Sequence, residues 1–251
     1  MVDRGPASYI AEFIGTLVLV MFVTSVVSLY IATGEQAAQF GSDFAVVGLV
    51  HAFVLFMLIQ VFGATSGAHL NPAVTLAAFV LKRIKGIDAA IYVLVQLSGG
   101  VAGALLTKAF LLDEGRAGDF GAATVSPLLG GAVQGAMIEA IGAFLLVLTI
   151  CAVAFNVRGP SQWAPLAIGL TLGFVVMVFG PLTGASVNPA RWFGPALVGD
   201  EFGDVWPYLV GPIVGSLTAA LVYAKVIEPG EAAMGTLPPE VPEKEAGAVR
   251  R

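Results

Sequence analysis

The chain has 251 residues, of which 57% are hydrophobic and 12% charged; its net charge is −5 and its mean hydropathy +0.90. A soluble domain carries about 25% charge, so these figures exclude a water-soluble globule, a disordered chain and a basic nucleic-acid surface. The lone cysteine, Cys151, permits no internal disulfide and no cysteine-based metal site, and the composition is that of an integral membrane protein.

Apolar runs of about 20 residues cross a hydrocarbon core of about 30 Å as helices. The first run, about 8–31, carries Glu12 and continues too long for a cleaved signal peptide. A second covers 44–64. After Thr65-Ser66-Gly67-Ala68-His69-Leu70 comes an apolar stretch from Asn71 to Leu81 that is too short to cross, since such a helix reaches only about 16 Å. It opens Asn71-Pro72-Ala73, with Asn suited to cap a helix and Pro to occupy its first turn. The third and fourth spans cover 87–111 and 133–156, and the fourth carries Glu139 and Cys151. A fifth covers 162–180 and is followed by Leu182-Thr183-Gly184-Ala185-Ser186-Val187. A second short stretch then runs from Asn188 to Val198, opening Asn188-Pro189-Ala190-Arg191, and the sixth span covers 206–227.

Residues 229–251 are rich in Pro, Glu and Ala and read as a disordered tail, leaving 1–228 as one membrane domain. Gly99 and Gly103, Gly169 and Gly173, and Gly211 and Gly215 are each four apart, which puts small residues on one helix face for close packing. Arg4, Lys82, Arg83, Lys85, Arg158 and Lys225 fall on one side of the membrane. Glu35, Asp43, Asp113, Glu114, Asp119, Asp200, Glu201 and Asp204 fall on the other, with Arg116 and, near a helix end, Lys108. Basic residues stay inside, so both termini are predicted to be cytoplasmic.

The chain repeats itself. Glu12 matches Glu139, Asn71 matches Asn188 and Tyr92-Val93-Leu94 matches Tyr208-Leu209-Val210, at offsets of 127, 117 and 116 residues. The halves, about 8–111 and 133–228, each hold three spans. An odd number inverts the second copy, and inverted repeats place a shared site near the midplane. Two half-helices entering from opposite faces would meet there. The Gly67-Ala68-His69 and Gly184-Ala185-Ser186 segments before them are predicted to be extended. Their backbone carbonyls would be free of any helix, which membrane depth tolerates only in a buried or wet cavity.

The paired SGAHLNPAVT and TGASVNPAR segments, with a glutamate in the first span of each half, closely resemble the aquaporin and glycerol-facilitator family. The resemblance covers about residues 8–228. It implies an all-α membrane protein of six transmembrane helices and two re-entrant half-helices, assembled as a homotetramer in the lipid bilayer. It also implies passive flow of water or small neutral solutes, no cofactor and no enzymatic reaction. Asn71 and Asn188 would donate hydrogen bonds to passing water, and the opposed helix ends would form a positive barrier to protons. Glu12 and Glu139 would bind the backbone of the re-entrant loop of their own half, and the carbonyl of His69 would line the pore while its ring packs away.

Counting from the two motifs places the family's four filter positions at His51, Val176, Ala185 and Arg191. This set matches neither the strict water channels, with an aromatic and a second-half histidine, nor the glycerol channels, with two bulky aromatics. It is similar to the plant vacuolar branch, whose members include water and ammonia channels. The residues after the second motif depart from the glycerol pattern, which has Asp at Trp192 and a basic residue at Ala196. Two other readings remain: a glycerol or small-polyol facilitator, and a proton-coupled carrier using Glu12 and Glu139.

Overall fold

A computed structural model describes residues 4–30, 43–156 and 158–233. Among these, six helices are long and apolar enough to cross a membrane. They are α1 (Pro6–Tyr30), α2 (Phe44–Ser66), α4 (Gly86–Phe110), α6 (Ala132–Ile150), α7 (Ala164–Thr183) and α9 (Val205–Val222), with the half-helices α3 (Pro72–Val80) and α8 (Pro189–Gly199) between them. Two further short helices, α5 (Leu112–Ala117) and α10 (Glu228–Ala233), were not anticipated from sequence. α6 and α9 each run on through a π-helical turn, Cys151–Phe155 and Tyr223–Ile227. The described chain is therefore still helical at 229–233, where the tail was predicted to begin; residues 234–251 lie outside the described residues.

Local chemistry sets the ends. The Asp43 carboxylate caps α2 by accepting from the backbone N–H of Ala45 and Val46. α2 and α7 both end at a glycine in the left-handed region, Gly67 (φ 88°) and Gly184 (φ 75°). Glycine adopts that conformation without a Cβ clash, and each one turns the chain out of its helix into a re-entrant loop.

The glycine pairs sit at the helix crossings. A Cβ at Gly99 or Gly103 would strike the backbone of α1, and one at Gly211 or Gly215 the backbone of α6. Gly169 and Gly173 meet Ala52 of α2 across the boundary between the halves. Each half-helix packs against the third span of the opposite half, α3 on α9 and α8 on α4, with Gly100 against Ala190 and Gly194 against Gly100. The outer surface is apolar, with Phe53, Leu94, Leu105, Met137 and Val214 exposed, while Glu12, Gln96, Glu139 and Arg191 are buried. This inside-out distribution suits a bilayer, where apolar side chains face lipid and polar groups find partners within the bundle.

Candidate functional site

The site forms where the tips of α3 and α8 meet. Asn71 and Asn188 are the N-caps of these helices, both in extended backbone conformation (φ −157° and −147°). Each side-chain oxygen accepts from its own helix: Asn71 Oδ1 from Ala73 N at 2.9 Å, and Asn188 Oδ1 from Ala190 N at 2.9 Å. Each amide nitrogen donates across the molecule. Asn71 Nδ2 bonds Val187 O at 3.0 Å, and Asn188 Nδ2 bonds Leu70 O at 2.9 Å. An amide has two N–H donors, so one hydrogen of each asparagine remains for whatever occupies the cavity that both border. Pro72, Ala73, Pro189 and Ala190 are buried in the first turns behind them.

The loops before these caps are not extended, as the sequence reading had it. Ala68 (φ 48°), Leu70 (φ 49°), Ala185 (φ 42°) and Val187 (φ 45°) all lie in the left-handed region, which costs non-glycine residues about 1–2 kcal/mol each. Buried carboxylates offset this cost. Glu12 Oε1 accepts from His69 N at 2.9 Å, and its Oε2 accepts from Leu70 N at 2.7 Å and from Gln96 Nε2 at 2.8 Å. Glu139 Oε1 accepts from Ser186 N at 2.9 Å and Thr183 Oγ1 at 2.7 Å, and its Oε2 accepts from Val187 N at 2.6 Å.

Two tyrosines complete the frame. Tyr92 Oη donates to Ser66 O at 2.8 Å and Tyr208 Oη to Thr183 O at 2.7 Å. These holders were missed as site residues, although the Tyr92/Tyr208 repeat match was the signal that could have found them. The His69 ring is engaged by Thr75 Oγ1 at 3.2 Å and stands edge-on to Tyr92 at 5.3 Å.

The cavity is also bordered by Gly67, Ala68, His69, Leu70, Ser186 and Val187. Leu19, Val23, Leu55, Ile59, Leu146, Ile150, Ile168 and Leu172 form an apolar wall that the sequence reading did not identify. Gly184 and Ala185 do not border it.

Of the four predicted filter residues, His51 and Arg191 border the cavity and Val176 and Ala185 do not. Val176 packs into the main hydrophobic cluster, and the N–H of Ala185 is tied to Thr183 Oγ1 at 3.2 Å. His51 Nδ1 lies 2.8 Å from Val47 O. A carbonyl only accepts, so Nδ1 carries the proton; Nε2, buried without a protein partner, is the acceptor of the neutral ring. Arg191 is buried. Its Nη1 donates to Gly121 O at 3.0 Å, and its Nε has no partner. Among the described residues no carboxylate lies within ion-pairing distance of this guanidinium. Its remaining N–H groups are therefore not committed to a structural ion pair.

Cys151 is fully buried and borders a second cavity with Arg83, Asn156, Tyr223 and Glu228; Phe155 borders both cavities, and Cys151 does not border the first. Mercurials are therefore expected to leave flow through the first cavity largely intact. Strong inhibition that disappears in Cys151→Ala would show that the thiol acts on the channel.

Residues 6–223 match the family model described as major intrinsic protein. The chain is 38% identical over 236 residues to a probable aquaporin, AqpM, of Archaeoglobus fulgidus, covering 86% of this chain and 94% of that protein. It is 38% identical over 227 residues to a probable aquaporin, TIP3-2, of Arabidopsis thaliana, covering 88% of this chain and 83% of the relative. The crystal structure of the aquaglyceroporin from Plasmodium falciparum superposes with a TM-score of 0.78 over 90% of this chain and 98% of that one; at 23% identity it attests the shared fold. By family model, by identity to curated relatives and by architecture, the chain belongs to the major intrinsic protein family, the aquaporin family of membrane channels.

Proposed function

We propose that the protein is a passive channel for water, which also passes small neutral solutes such as ammonia and excludes protons and ions. The observation that carries this reading is the crosswise pairing of Asn71 and Asn188, which leaves each with one uncommitted amide N–H at the cavity that both border, where two helix N-termini meet. Each N-terminus contributes about half a positive charge, which repels a proton or cation. The two amides each donate to the oxygen of a passing water, turning its hydrogens away from the centre and interrupting the chain along which protons would hop. The apolar side chains that line the rest of the cavity offer no competing partner, so water moves in single file along the polar groups.

His51, Val176, Ala185 and Arg191 are the filter, on the extracellular side, with Val176 and Ala185 supplying small apolar side chains. This composition leaves room for molecules larger than water, as in the plant vacuolar branch. The carrier reading has weaker support, because Glu12 and Glu139 are saturated by loop donors and neither borders the cavity. The glycerol reading lacks its two bulky aromatics, since none of the filter positions His51, Val176, Ala185 and Arg191 carries Phe, Tyr or Trp. By the distribution of basic residues, both termini are cytoplasmic in a cell membrane, and the family's homotetramer is the proposed assembly.

Stopped-flow light scattering on proteoliposomes tests the reading. Under an impermeant osmolyte, vesicles with the protein should shrink faster than empty ones, while an imposed pH gradient should persist. His51→Phe removes the Nε2 acceptor and should lower the ratio of ammonia to water permeability about threefold or more, the worth of one hydrogen bond. An unchanged ratio at equal protein density would remove His51 from the filter, and shrinkage no faster than in empty vesicles would sink the channel.

A further inference from the structure

Arg191 is held from two directions. Its backbone belongs to the first turn of α8, and its Nη1 donates to Gly121 O in the turn that follows α5. That turn is conformationally costly. Asp119 (φ 48°), Phe120 (φ 52°) and Gly121 (φ 74°) are three successive residues in the left-handed region, and two of them pay the Cβ penalty. Such a turn persists only where its surroundings over-determine it. Gly121 is wedged against the backbone of Thr24 in α1, Phe120 is buried, and Asp119 O abuts Gly199 at the end of α8.

Lys108, in the last turn of α4, joins these parts. Its ammonium lies 5.0 Å from the centroid of the Phe120 ring and donates to Val198 O at 3.3 Å. Val198 O is among the last carbonyls of α8, which have no partner within the helix and favour a cation. One side chain thus fastens both the turn that supplies the carbonyl for Arg191 and the far end of the half-helix that carries Arg191.

We infer that Lys108 is a positioning residue for the filter, fixing the Arg191 guanidinium by clamping the Phe120-Gly121 turn to the C-terminal end of α8. The inference rests on Arg191 being a filter residue. Loss of the clamp lets the guanidinium leave its place at the cavity it borders with His51, which widens the passage for neutral solutes.

The readout is the ratio of urea to water permeability in proteoliposomes at equal protein density, for wild type, Lys108→Met, Lys108→Arg, Phe120→Leu, Arg191→Val and the double variant Lys108→Met/Arg191→Val. Lys108→Met and Phe120→Leu should each raise the ratio about threefold, the scale of one cation–π contact, and Lys108→Arg should keep it near the wild-type value. The double variant should match Arg191→Val alone, because residues that act through one another do not add. Phe120→Leu keeps an apolar side chain in the buried position and carries the test if Lys108→Met does not reconstitute.

A wild-type ratio in Lys108→Met and Phe120→Leu alongside a raised one in Arg191→Val would overturn the positioning role. So would a full additional increase in the double variant. An unchanged ratio in Arg191→Val would remove Arg191 from the filter, and the inference about Lys108 with it.

Discussion

Arg191→Val is expected to raise urea and glycerol permeability relative to water by about tenfold, the lower end of the worth of one hydrogen bond to a charged group. The guanidinium is buried, keeps one terminal nitrogen on Gly121 O and borders the cavity with His51. Its removal takes away a fixed positive charge and several donors together, and the side chain left behind is shorter. Protons should remain largely blocked, because the N-termini of α3 and α8 and the amides of Asn71 and Asn188 are unchanged. Reswelling rates in urea and glycerol give the solute ratio, and decay of a pH gradient across the same vesicles gives the proton flux. A proton conductance comparable to the water flow would mean that the opposed helix dipoles are not the principal barrier.

Glu139→Gln should abolish most of the water flow per folded molecule, by about tenfold or more, and lower thermal stability. Glu139 accepts three hydrogen bonds with two oxygens, from Thr183 Oγ1, Ser186 N and Val187 N. A glutamine has one acceptor oxygen, and its NH2 group would face a backbone N–H. Each buried donor left unsatisfied costs about 1–3 kcal/mol. The left-handed conformations of Ala185 and Val187 would then lose the group that compensates them. Val187 O would move away from Asn71 Nδ2, and the change made in one half would be felt at the asparagine of the other. The exposed Glu114 serves as control, since Glu114→Gln removes a charge without a buried partner. Wild-type water flow in Glu139→Gln at equal protein density would show that the loop holds its shape without the carboxylate.

The two halves hold their loops with different means. At the repeat offsets of 117 and 116 residues, Thr75 and Gln96 correspond to Trp192 and Pro212. In the first half Gln96 bridges Glu12 Oε2 and Thr75 Oγ1. In the second, Thr183 supplies the third donor to Glu139 and Trp192 stacks on Tyr208. Sequence matching finds the glutamates and asparagines because the pseudo-symmetry preserves them. It passes over Gln96 because the partner position carries a residue of another chemistry.

The six spans and the two half-helices were legible in the sequence because each depends on neighbours within a few residues, and their inverted relation because the same landmarks recur at offsets of 116 to 127 residues with three spans in each half. Apolar run length decides whether a helix crosses a bilayer, and Asn-Pro starts a helix wherever it occurs. The left-handed backbone at Ala68, Leu70, Ala185 and Val187 had no such sign. None of them is glycine, and their conformation is imposed by carboxylates 47 to 58 residues away at the hydrogen-bonded positions. Likewise the asparagine amides find carbonyls 116 and 118 residues distant, and Arg191 finds one 70 residues distant. Short side chains such as Val176 and Ala185 have a place in the motif count, but whether they reach the cavity is a matter of packing across the two halves, which the count does not contain. Local propensity determined which segments are helical and how they enter the membrane. The alignment of donors, carbonyls and charge along one passage required the halves to be packed together, because buried polar groups must find their partners across the whole chain.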